Sequence, residues 1–134
     1  MRRVLVDTGA LVALVREHDA YHKRAQHFFE EFRGGELLTT AAVLTEVLHL
    51  LPVRLGPALL DLVQSPPWRV FDLGDGLARI GELMRKYLDR PMDFADASLV
   101  WVAEQTGVLE ILTTDRDFEI YRTRALRRID PIDW

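Results

Sequence analysis

Apolar positions along the chain fall into short runs that alternate with longer segments of helical spacing. The short apolar run at Arg3–Val6 stands just before Asp7 and is typical of a buried strand. The segment Ala20–Phe32 instead repeats its apolar positions every three or four residues, which predicts an amphipathic helix. Such segments end at glycine or proline, as at Pro52. The pattern therefore predicts a chain of alternating strands and helices.

Strands that alternate with helices indicate a parallel sheet covered on both faces, with its ligand site beyond the carboxyl ends of the strands. The predicted strands are Arg3–Val6, Glu36–Thr39, Trp68–Leu73, Glu110–Thr113 and Leu126–Ile129. The predicted helices are Ala10–Arg16, Ala20–Phe32, Ala41–Leu51, Leu55–Gln64, Leu77–Leu88, a helix opened by Pro91-Met92-Asp93 that runs to about Gln105, and Phe118–Arg122.

Composition narrows the class of protein. A length of 134 residues predicts one domain, spanning residues 1–134. The absence of cysteine excludes disulfides, thiolate zinc sites and a cysteine nucleophile. The net charge of −4 excludes a strongly basic nucleic-acid binder, but not a nucleic-acid enzyme with an acidic site. No apolar run approaches the roughly 20 residues of a membrane helix, and a cytoplasmic protein is expected.

Carboxylates follow the predicted strands. Asp7 comes directly after the first strand, and Glu46 lies in an apolar stripe of the helix after the second. Asp93 is placed to cap a helix, and Asp96 follows it on a helix whose other positions are nearly all apolar. Asp115 stands at the end of the fourth strand. A carboxylate in apolar surroundings is costly unless a cation neutralises it, so these acids are candidates for a site.

The fold would bring four of these acids, Asp7, Glu46, Asp96 and Asp115, to one end of the sheet. Like charges in a cleft raise one another's pKa values. Oxygen ligands without histidine or cysteine suit a hard cation such as Mg²⁺ or Mn²⁺. One or two such ions can activate water and stabilise the leaving oxygen in phosphodiester hydrolysis. The acids therefore predict a metal-dependent phosphodiesterase.

Four motifs in this order resemble the PIN-domain family of nucleases, particularly the VapC-like toxins of toxin–antitoxin pairs. The resemblance covers essentially the whole chain. The motifs are Val4-Leu5-Val6-Asp7-Thr8-Gly9, Thr45-Glu46-Val47, Asp93-Phe94-Ala95-Asp96-Ala97 and Thr113-Thr114-Asp115-Arg116-Asp117-Phe118.

The resemblance implies a three-layer α/β/α sandwich with a central parallel sheet of order 3-2-1-4-5. It also implies RNA cleavage that depends on Mg²⁺ or Mn²⁺, a homodimer, and a small DNA-binding antitoxin as partner. The family's metal ligands carry over onto Asp7, Glu46, Asp96 and Asp115. Its hydroxyl positions match Thr8 and Thr113, whereas Asp93 and Asp117 are additional acids with open roles.

Basic residues that could hold RNA follow the last acidic motif. The four candidate acids carry as much negative charge as the whole chain has in excess, so the remainder is balanced. RNA binding still needs cations near the phosphates. The hypothesis is that Arg122 and Arg124, together with Arg116, border the site.

Two other functions stay open at this point. The first is an interaction module that keeps the fold and uses its acids only for structure, which RNA cleavage would distinguish from a nuclease. The second is an aspartic protease, because Asp7-Thr8-Gly9 is also the active-site triplet of that class. The aspartic-protease fold is nearly all β, whereas this sequence predicts several helices.

Overall fold

The computed structural model of the protein describes residues 1–125 and 127–134. Within these residues, five parallel strands form one sheet in the order β3-β2-β1-β4-β5. The predicted strand order is thereby confirmed, and the nearly all-β aspartic-protease fold is excluded. The strands are β1 (Arg3–Val6), β2 (Glu36–Thr40), β3 (Trp68–Phe71), β4 (Glu110–Leu112) and β5 (Asp130–Pro131).

The central strand β1 is buried because it has neighbours on both sides and helices on both faces. Val4, Leu5 and Val6 are fully buried. Leu5 is in register with Leu38 of β2 and with Ile111 of β4. An apolar run without alternation is what a strand covered on both faces requires. The carboxyl end of β1 therefore points Asp7 at the middle of one sheet edge.

In the described part of the chain, six helices flank the sheet and complete the three layers. At the start of the third, the Thr40 side chain accepts a hydrogen bond from the Val43 amide. The sixth is almost entirely buried from Ala95 to Ala103 and ends at Gly107, whose φ of 75° suits a glycine. The helices are α1 (Thr8–Val15), α2 (His22–Glu31), α3 (Ala41–Leu50), α4 (Gly56–Leu62), α5 (Leu77–Lys86) and α6 (Phe94–Thr106).

The last strand differs from its prediction at Leu126–Ile129. The residues that pair with β4 are Asp130 and Pro131, opposite Glu110 and Ile111. Before them the chain turns back on itself, and Thr123 N donates to the Arg127 carbonyl over 3.1 Å. Ile129 is fully buried without being in the strand, and Leu126 lies outside the described residues. Ile129 therefore contributes to the core and not to the hydrogen-bonded ladder.

Other boundaries also differ from prediction, among them those of the third strand and of the last helix. The strand expected to reach Leu73 ends at Phe71, where its pairing with β2 ends. The helix expected at Phe118–Arg122 is instead a short 3₁₀ turn at Arg116–Glu119. In the part of the chain that the structure describes, no helix has the length and apolarity needed to cross a membrane.

Candidate active site

Asp7 occupies the first position beyond β1, at the middle of the sheet edge. It stands at the N-cap position of α1, but within the described chain its side chain forms no capping hydrogen bond. Its carboxylate instead accepts a hydrogen bond from Thr113, with 2.7 Å between Thr113 Oγ1 and Asp7 Oδ2. Asp7 is only 5% exposed. The side chain is thus fixed by the neighbouring strand and not by its own helix.

The turn after β4 connects Asp7 to a second acid. Thr113 Oγ1, which donates to Asp7, also accepts a hydrogen bond from the Asp115 amide over 2.9 Å. Asp115 in turn caps the 3₁₀ turn, since its Oδ1 accepts from the Asp117 amide over 2.9 Å. Asp115, one residue before the turn begins, is therefore its cap, and Asp117 lies inside the turn.

A reciprocal capping box holds the start of α6. Asp93 Oδ1 accepts from the Asp96 amide over 2.8 Å, and Asp96 Oδ2 accepts from the Asp93 amide over 3.2 Å. The predicted N-cap at Asp93 is confirmed. Asp93 is exposed, whereas Asp96 is 8% exposed. The box fixes the Asp96 carboxylate at the helix end that faces the sheet edge.

Glu46 reaches the same region from α3. A buried hydrogen bond of 2.8 Å between the Thr40 and Ser98 hydroxyls joins the start of α3 to α6. Glu46 is half-buried. Thr8 Oγ1 is also buried here and has no hydrogen-bond partner among the described residues. It nevertheless lies close enough to Glu46 to oppose the rise in the pKa of the Glu46 carboxyl group.

Burial and mutual repulsion raise the pKa values of Asp7, Asp96 and Glu46. Burial, with Asp115 and Glu46 nearby, raises the pKa of Asp7 from 3.8 to about 6. Burial raises the pKa of Asp96 further, and the charges of Asp93, Asp7 and Asp115 add to the effect. Burial and the charge of Asp93 raise the pKa of Glu46. The charge couplings join Asp7 to Asp115, Glu46 and Asp96, which places acids from three other segments near Asp7.

Comparisons with known proteins define the family. The model of the family described as PIN domain matches residues 4–123. The chain belongs to the PIN-domain family. Its fold is similar to that of VapC20 from Mycobacterium tuberculosis, described as a sarcin-ricin loop cleaving toxin. The TM-score is 0.79 at 25% identity, covering 87% of this chain and 93% of that one.

A second solved structure shows the same fold at lower identity. VapBC2 from Rickettsia felis, bound to a DNA fragment from their promoter, gives a TM-score of 0.58 at 14% identity over 99% of each chain. A comparison with curated proteins gives no match.

The acids of this PIN domain fit a hard divalent cation by their donor chemistry. They are all oxygen donors, and the unpartnered Thr8 hydroxyl beside Asp7 and Glu46 adds another. Among residues 1–125 and 127–134, however, the side chains form no group of three His, Asp or Glu with metal-holding geometry. The described residues thus supply suitable acids whose charges interact, but not a complete set of ligands arranged around one metal position.

The predicted RNA-binding arginines lie in different surroundings. The Arg122 guanidinium donates to the carbonyls of Glu119 and Tyr121, over 2.8 and 2.9 Å. Arg124 pairs with Glu82 of α5 at 3.4 Å, and its amide donates to Glu104 near the C-terminal end of α6, whereas Asp96 lies at the N-terminal end. Arg116 is exposed directly after Asp115.

Arg90 is a basic residue that the sequence analysis missed. It lies in the loop before α6 and pairs with Asp117 at 3.6 Å, with its side chain 51% exposed. In sequence it is an isolated arginine far from the last acidic motif, so only the tertiary contact with Asp117 reveals its place.

The raised pKa values make the metal-free protein sensitive to pH. Between pH 3.8 and about 6 the unfolded chain has released the Asp7 proton and the folded protein retains it. Raising the pH therefore favours unfolding, by up to about 1.4 kcal/mol per pH unit for each such group. Thermal melts in EDTA are expected to show this decline in the wild type and a weaker one in Asp7→Asn. Identical pH slopes for the two proteins would contradict the expectation.

Proposed function

We propose that this PIN domain is a ribonuclease that depends on Mg²⁺ or Mn²⁺ and acts as the toxin of a toxin–antitoxin pair. The observation that carries the proposal is the coupling of Asp7, Glu46, Asp96 and Asp115 at one edge of a PIN fold. Burial and repulsion disfavour the ionised form of these acids, and a bound cation stabilises that form. Cation binding therefore accounts for the presence of a cluster that is unfavourable without it.

The four acids would hold the cation, and the accessory residues would hold the acids. Thr113 orients Asp7 and ties it to Asp115, and Asp93 orients Asp96 through the capping box. Thr8 offers a buried hydroxyl that has no hydrogen-bond partner among the described residues. Asp117 forms an ion pair with Arg90. A bound Mg²⁺ or Mn²⁺ supplies an activated water and offsets the charge that builds on the phosphate.

Ionisation of the site is part of this function. Because burial keeps the pKa of Asp7 near 6 and that of Asp96 above its ordinary value, cation binding must displace protons from the site. The residues thus couple cation affinity to pH. Activity should rise with pH as the carboxylates become free to bind.

The similar structures suggest the biological setting. VapC20 is described as cleaving the sarcin-ricin loop, and VapBC2 is a toxin–antitoxin complex on promoter DNA. By this similarity we propose an RNA substrate, a small DNA-binding antitoxin as partner, a homodimer and a cytoplasmic location.

Cleavage assays test the function directly. The purified chain is incubated with single-stranded and stem-loop RNA, and with DNA of the same sequence, in Mn²⁺, Mg²⁺ or EDTA. We expect RNA cleavage with either ion and none in EDTA. An intact RNA in every condition, from a chain that melts cooperatively and binds Mn²⁺, would favour a non-catalytic interaction module.

We also propose that Arg116 and Arg90, which lie on and beside the turn that follows Asp115, contact the RNA backbone. Arg122 and Arg124 lie after this turn and contact other parts of the protein. RNA affinity is measured at several salt concentrations, with Ca²⁺ to suppress cleavage. Arg116→Ala should weaken binding to every RNA and reduce the salt slope by about one unit. Arg124→Ala is the matched variant, and an equal effect there would extend the RNA path to Arg122 and Arg124. An unchanged slope in Arg116→Ala would refute its role.

A further inference from the structure

A groove of about 890 Å³ opens beside the acids, between the start of α3, the start of α6 and the segment after β3. Ligand sites usually have roughly 300–1,000 Å³, so a nucleotide-sized group fits. Glu46 and Asp93 belong both to the wall of this groove and to the acid cluster. A group bound in the groove would therefore lie next to the acids, and so next to the substrate phosphate of the proposed ribonuclease.

The lining is apolar and carries an exposed aromatic ring. Ala41, Ala42 and Leu73 contribute apolar surface. Phe94, the first residue of α6, lines the groove and is 42% exposed. An aromatic side chain left open beside a nuclease site is a platform on which an unpaired base can stack.

The charges along the groove argue for a base and against a phosphate. Three acids line it, Glu46, Asp72 and Asp93, together with one histidine, His49, and the described residues around it include no lysine or arginine. The ion pair between Arg90 and Asp117 instead places Arg90 beside the turn that carries Asp115 and Arg116. The backbone of a nucleic acid would follow those arginines, and a base could turn into the acidic, apolar groove.

We propose that this groove holds one unpaired nucleobase next to the scissile phosphate, stacked on the ring of Phe94. The inference rests on the proposed ribonuclease function and adds a base-binding subsite to it, with Phe94 as the stacking residue. Duplex RNA cannot occupy the groove, because its bases are stacked within the helix.

Kinetics of Phe94 variants test the proposal. The substrate is a single-stranded oligonucleotide cleaved in Mn²⁺. Phe94→Ala should raise KM by roughly 5- to 100-fold, since stacking on one aromatic ring has about that effect. Its kcat should change little, and Phe94→Trp should retain the wild-type KM. Val53→Ala, which truncates a 93% exposed apolar side chain outside the groove, is the matched control and should match the wild type.

Stacking can be observed separately from cleavage. Two oligonucleotides, each with one 2-aminopurine on a different side of the cleavage site, are bound to the protein in Ca²⁺. The fluorescence of one of them should be quenched by the wild type and by Phe94→Trp but not by Phe94→Ala. If the wild type cleaves RNA and Phe94→Ala equals Val53→Ala in KM and quenching, the inference is overturned and the ribonuclease function stands. Unchanged RNA kinetics with weakened binding of a protein partner would overturn it in favour of protein docking. A wild type that cleaves no RNA would overturn the function itself.

Discussion

Asp96→Asn is expected to abolish RNA cleavage and yet to leave the metal-free protein at least as stable as the wild type. Asparagine retains the oxygen that accepts the Asp93 amide, so the capping box can persist. It removes a negative charge offered to the cation, and loss of such electrostatic stabilisation costs on the order of 10²–10³-fold in rate. It also removes the cost of ionising a buried acid among other acids.

The stability half of this expectation has a definite pH dependence. The pKa of Asp96 is raised in the folded protein, so its destabilising effect is absent below the ordinary value of 3.8 and grows as the pH rises. Thermal melts in EDTA should therefore place Asp96→Asn above the wild type at pH 7.5, with the gap closing toward pH 4. Asp61→Asn, an exposed acid on α4, is the control for a lost surface charge. A lower melting temperature of Asp96→Asn in EDTA would point to a structural acid.

The largest effect on stability is expected from Gly35→Ala. Gly35 precedes β2, where an added Cβ would overlap the Arg2 carbonyl oxygen and lie 2.8 Å from the Phe32 ring. That same carbonyl accepts the Glu36 amide over 2.9 Å as β1 and β2 come together. The backbone there must shift, and we expect a loss of roughly 3 kcal/mol or more, in the upper range for single substitutions.

Gly81→Ala is the matched substitution. Gly81 lies within α5, and no described atom approaches its added Cβ within 4 Å. Alanine in place of a helical glycine is expected to stabilise the fold by roughly 0.5–1 kcal/mol. Denaturant unfolding of the two variants should therefore shift in opposite directions. A Gly35→Ala midpoint equal to that of the wild type would show that the β1–β2 contact relaxes without cost.

The alternation of strands and helices and the position of the acids along the chain followed from local features of the sequence. The apolar run before Asp7 and the apolar surroundings of Asp96 are signals that need no tertiary information. The family motifs gave the strand order. The start of α1 was less readable, because Asp7 turns away from its helix toward Thr113, a residue 106 positions later.

Other features depend on contacts that no local pattern encodes. The strand β5 consists of two residues, one of them proline, and only its pairing with β4 identifies it. Arg90 and Asp117 are distant in sequence, as are Arg124 and Glu82. A charge pattern shows how many arginines the chain has, but the packing of α5 against α6 decides which of them pair with acids within the protein.

Trp134 gives the site an optical reporter. Its indole Nε1 donates to the Thr113 carbonyl over 3.1 Å, and the hydroxyl of the same threonine holds Asp7. Tyr21 lies against the indole, with 5.8 Å between ring centroids. Indole emission responds to the polarity around the ring and to its hydrogen bond. In a protein with Trp68→Phe and Trp101→Phe, the remaining fluorescence would follow cation binding at Asp7 in real time, without a label and without an RNA substrate.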